Sequence, residues 1–135
     1  MTVGYDVAPD VLTVERHGVT VAFRQASRLA PLVLAALEDA AFRDAIAAHR
    51  AGTATGAGRC AEVTMAFLNA VGHHDNMRAY WARQQPSGRW HTWPELHGET
   101  FEIDVSGPAL LLVVDVKEFR AVRGIGESDE LRPTN

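Results

Sequence analysis

The chain is poor in sulfur and in basic charge. One cysteine, Cys60, stands among 135 residues, so no disulfide closes within the chain, and the thiol is a small core group, a reactive nucleophile or an intermolecular partner. Thirteen Lys and Arg against seventeen Asp and Glu give a net charge of −4, and no basic run with interleaved aromatics is present, which argues against nucleic acid as a partner. The longest apolar runs, such as ALLLVV at 109–114, fall far short of a membrane span. The first residues lack a basic stretch followed by an apolar one. The expectation is a cytoplasmic chain with neither membrane nor nucleic acid as partner. No CxxC or HxxxH spacing occurs, so no metal or other cofactor is expected, and GHHDN at 72–76 reads as a solvated loop rather than a ligand set.

What is present suits one globular domain. With 47% hydrophobic and 22% charged residues, the length allows a single sizeable core and no second domain. Residues 11–24 alternate, turn at His17-Gly18 and alternate again, predicting a β-hairpin. From Leu29 to about His49 the apolar residues take helical spacing, with Pro31 in the first turn. The glycine-bearing stretch 50–59 predicts a loop, and CAEVTMAFLNAVG at 60–72 a second helix that opens on the cysteine and stops at Gly72. Period-two segments follow at 77–82, 89–96, 99–105 and 109–116, the last apolar on both faces and therefore central. The reading is α+β, helices packed on an antiparallel sheet, divided into an N-terminal hairpin 11–24, a core 29–123 and a flexible tail 124–135.

A thiol becomes a nucleophile as the thiolate, which a helix N-terminus and a nearby imidazole both favour. His91 and Asp104 lie at equal distances from the His97-Gly98 turn. In a simple hairpin they are therefore opposite one another, within reach of an imidazole–carboxylate hydrogen bond. Cys60, His91 and Asp104 then have the composition of a thiol triad: nucleophile, base and orienting acid. His97, Glu99 and Glu102 are expected to face solvent. A competing expectation is a non-catalytic α+β module that binds a small ligand or a peptide in a pocket lined by Trp81, Trp90 and Trp93.

The order GRCAEVTMAFLNAVG, then H-x-W-x-E at 91–95, then FEIDVSG at 101–107 resembles the transglutaminase-like superfamily of papain-like thiol enzymes over residues 58–107. The resemblance implies a papain-like core with Cys60 as nucleophile, His91 as general base and Asp104 as orienting acid. Trp93 and Glu95 are the strand residues that accompany the histidine, and Trp81 and Arg59 are further candidates for substrate contact. The chain departs from the pattern in having Pro94 inside the histidine strand, a position tolerable only at an edge or bulge. The implied reaction is acyl transfer or hydrolysis through a Cys60 thioester, peptidase- or amidase-like. The implied substrate is a peptide or small amide, with presentation by a partner protein one route to it.

Overall fold

A computed structural model describes residues 10–53, 60–72, 77–104, 110–126 and 129–131. The fold is α+β. The hairpin forms as expected: β1 (Val11–Arg16) and β2 (Val19–Arg24) pair antiparallel, with Val14 opposite Val21. Their turn has positive φ at both His17 (52°) and Gly18 (79°), the backbone that a two-residue type I′ turn requires.

The predicted long helix is two helices, α1 (Ala30–Ala36) and α2 (Ala40–Thr53). The break has a local cause. Asp39 Oδ1 accepts from the backbone N–H groups of Ala41 and Phe42 at 2.8 and 3.2 Å, an N-cap that restarts the helix. Helix α3 runs Cys60–Val71 and ends at Gly72, whose φ of 75° only glycine adopts cheaply.

The strands divide into two sheets rather than one antiparallel sheet. The first has the order β1-β2-β6-β5, with β5 at Glu99–Asp104 and β6 at Leu110–Asp115. Its central β2–β6 pair is parallel, Val21 opposite Leu111. The second has the order β4-β3-β7, with β3 at Arg78–Arg83, β4 at Trp90–Glu95 and β7 at Asp129–Leu131. Residues 129–131, assigned from sequence to a flexible tail, thus pair with β3, and Ile125 is buried.

A fourth helix, α4 (Val116–Arg123), follows β6 directly. Asp115 Oδ1 caps it through the N–H groups of Lys117 and Glu118, and Gly124 closes it in the left-handed region.

Helices cover one face of the first sheet, and α4 with the second sheet covers part of the other. On one, α1, α2 and α3 bury Val21, Phe101 and Leu111 against Phe42, Ile46 and Phe67. The Phe42, Phe67 and Phe101 rings meet at centroid separations of 5.0–6.1 Å in tilted and edge-on packing. On the other, Val114 packs with Phe119 of α4 and with Trp93 of the second sheet. Glu99, expected in solvent, instead joins β5 to the start of α1, whose Ala30 N–H donates to Ser27 Oγ at 3.1 Å. Its carboxylate accepts from Ser27 Oγ at 2.5 Å and from the N–H groups of Arg28 and Leu29 at 2.9 and 3.2 Å.

Candidate active site

The site originates where β4 and β5 part. The His97-Gly98 turn again has positive φ at both residues, and Leu96 and Glu99 exchange both backbone hydrogen bonds at 3.0 Å. Backbone groups alternate sides along a strand, so residues 96, 94 and 92 present theirs toward β5. The next donor after Leu96 on that side would belong to Pro94, which has no N–H. The ladder ends there. From this point β4 pairs only with β3, His91 opposite Ala82, while β5 pairs with β6, Asp104 opposite Leu110. His91 and Asp104 are therefore not cross-strand partners, which corrects the expected register. Asp104 is described in its backbone alone, and Arg59 lies outside the described residues, as do 73–76 of the GHHDN segment.

The N-terminal turn of α3 takes the place that a continued β5 would hold. The Thr92 N–H donates to Cys60 Sγ at 3.3 Å. Thr64, one helical turn after Cys60, donates its hydroxyl to the Thr92 carbonyl oxygen at 3.3 Å. The sulfur thus touches the peptide unit adjoining His91.

Between the diverging strands lies a cavity of about 30 Å³, room for about two water molecules. His91, Thr92 and Pro94 line it from β4, Phe101, Glu102 and Ile103 from β5, and Cys60, Val63 and Thr64 from α3, with His49 of α2 and Arg123 of α4 completing the wall. Cys60 and His91 are both partly exposed in it. Sequence reasoning missed His49, Thr64, Glu102 and Arg123.

Glu102 was expected to face solvent and is 7% exposed. Its Oε1 accepts from Arg123, whose guanidinium also donates to Gln84 Oε1. Burial pushes the His91 pKa well below its ordinary value, helped by the Arg123 cation and by His49; His49 is lowered too, by burial and then Arg123. Both rings are therefore neutral near pH 7, and a neutral imidazole is able to accept a proton. Among the described residues the His91 ring makes no hydrogen bond. It stacks on Trp93, with centroids 6.0 Å apart and planes 13° from parallel, and tilts against Phe119 at 5.7 Å.

These shifts have a consequence for stability. Below about pH 6.5 an unfolded histidine binds a proton that the native His91 refuses, so stability is intact above that pH and falls as the solution is acidified. The expected loss is at most ~1.4 kcal/mol per pH unit for each histidine. Urea denaturation of His91→Gln should show a flatter decline between pH 7 and 5 than the parent chain; an equally steep decline would exclude His91 as the cause.

Two of the expected substrate contacts have other roles. Trp93 is 1% exposed, and its indole N–H donates to Glu95 Oε2 at 2.7 Å. The same oxygen accepts from Arg120 at 2.9 Å. Together they fasten β4 to α4, and a ring so buried cannot line a ligand pocket. Trp81 lies on the opposite face of the sheet, in register with Thr92, its ring 4.5 Å from that of the half-exposed Trp90. The Arg83 guanidinium covers Trp90 at 4.5 Å.

Among the described residues no helix is long and apolar enough to cross a membrane, and no cluster of His, Cys, Asp and Glu has the geometry of a metal site. In comparisons with known proteins, no protein-family model, curated protein or solved structure matches this chain.

Proposed function

We propose that the chain is a cysteine hydrolase or acyltransferase of transglutaminase-like type, with Cys60 as nucleophile and His91 as base. One observation carries the reading: the Thr92 N–H contacts Cys60 Sγ at 3.3 Å, so the sulfur sits beside the peptide unit of His91 and both side chains line one cavity. Cys60 is also the first residue of α3, where the backbone N–H groups have no intrahelical acceptor.

In the proposed reaction His91 takes the thiol proton as sulfur bonds to the carbonyl carbon of an amide. The resulting tetrahedral adduct expels the amine, which leaves with that proton, and a thioester remains on Cys60. Water, deprotonated by His91, then releases the acid; an amine in its place gives transfer. The cavity admits little more than the reacting group, so hydrolysis of an exposed peptide or small amide is favoured, and presentation by a partner protein is compatible with it. Asp104 is retained as the orienting acid that the resemblance implies. Trp81 and Trp90 pack together on the opposite face of the second sheet and do not line the cavity. A single unpaired thiol suits a reducing cytoplasm.

The test is alkylation. Cys60 should react with iodoacetamide near neutral pH faster than a thiol with no base beside it, and His91→Ala should slow it roughly a hundredfold, the lower end of general-base contributions. A fluorogenic thioester or amide probe should show an acyl-enzyme burst that Cys60→Ala abolishes. An inert Cys60 with no burst would end the enzyme reading and favour the non-catalytic module.

A further inference from the structure

At Thr92, on the open side of the edge strand β4, both backbone polar groups lie outside the sheet ladder. In β4 the backbone groups of residues 91, 93 and 95 serve the pairing with β3, while those of residue 92 face α3. Its N–H meets Cys60 Sγ, and its carbonyl receives the hydroxyl of Thr64, which is only 2% exposed. A buried hydroxyl spent on one backbone carbonyl fixes the plane of the adjoining amides.

We propose that the Thr92 N–H is a working donor of the active site and that Thr64 is the residue that positions it. As His91 takes the thiol proton, the donor stabilises the negative charge that develops on the Cys60 sulfur. Attack on a carbonyl moves that charge from sulfur to the carbonyl oxygen, borne on the carbon now bonded to Sγ. The same N–H, already beside the sulfur, then lies where an oxyanion donor is needed. The inference rests on Cys60 being the nucleophile, although its first half concerns the reactivity of the sulfur alone.

Two substitutions of Thr64 separate the hydrogen bond from the packing. Thr64→Val removes the hydroxyl at nearly constant shape, and Thr64→Ser keeps it. The measurement is the second-order rate of Cys60 carboxymethylation by iodoacetamide at pH 7 in the full chain. The rate should fall about tenfold in Thr64→Val and be unchanged in Thr64→Ser. An unchanged rate in Thr64→Val, or an equal loss in Thr64→Ser, overturns the proposal. A loss confined to Thr64→Val supports it even if no acyl probe is turned over, in which case the enzyme reading alone fails.

Discussion

Arg123→Ala is expected to lower the free energy of unfolding by about 3 kcal/mol, the lower end for breaking a buried ion pair, because the guanidinium is itself about a quarter exposed. The cost comes mainly from what stays behind. Glu102 is 7% exposed, and without Arg123 its charge is left in the interior with no other partner among the described residues. The guanidinium also holds Gln84 and lies 5.4 Å from the centre of the Phe119 ring, so its stem and charge together join α4, β5 and the end of β3. Glu102→Leu combined with Arg123→Met should recover most of the loss, since a well-packed apolar pair spares both desolvation costs. Urea denaturation at pH 7 measures all three proteins. If Arg123→Ala and the double variant were equally unstable, loss of packing rather than an orphaned charge would be the cause. The substitution has a second signature in the site. Burial is the chief cause of the low His91 pKa and Arg123 the next, so removing the cation should raise the His91 pKa and move the acid limb of Cys60 alkylation upward.

The local elements were legible because they depend on nearest-neighbour rules. Two glycine-bearing turns and the period-two runs around them locate β1, β2, β4 and β5, and Gly72 ends α3 twelve residues after Cys60 opens it. The double-sided apolar run at 109–114 was rightly central, since β6 lies between β2 and β5. Its parallel pairing with β2 joins segments some ninety residues apart, and nothing local specifies it. Two signals were present and not used. Asp115 and Glu118 form a D-x-x-E start with Gly124 after the last turn, the punctuation of a helix where a strand end was expected. Asp39 similarly marks the restart of a helix inside an otherwise continuous pattern.

The site itself was half visible. Pro94 was expected at an edge or a bulge, yet which edge it spoils follows only once the turn register fixes the direction of its missing N–H. That direction separates β4 from β5, converts a supposed His91–Asp104 pair into a cleft and admits the start of α3. Glu102 misled for a different reason. Alternation shows which residues share a face, and it cannot show that α4 will cover that face.

Trp93→Ala is expected to cost about 3–5 kcal/mol and to impair His91 at the same time. The indole is 1% exposed and is surrounded by rings, with Phe119 at 5.2 Å and Tyr80 at 6.1 Å. Deleting it leaves a cavity between the second sheet and α4 that the strand register prevents from closing. The His91 ring then loses the stacked partner at 6.0 Å that, with Phe119, sets its orientation. Trp93→Phe separates the two contributions. It keeps an aromatic surface for His91 while losing the N–H donated to Glu95, whose carboxylate still has Arg120; the expected cost is about 1–2 kcal/mol for one hydrogen bond and part of a ring. Both variants should be measured by urea denaturation and by the rate of Cys60 alkylation relative to His91→Ala. The phenylalanine variant should alkylate nearly as fast as the parent, and the alanine variant nearly as slowly as His91→Ala. Equal rates in the two variants would mean that stacking does not orient the base, and the orienting role would pass to the acid on β5.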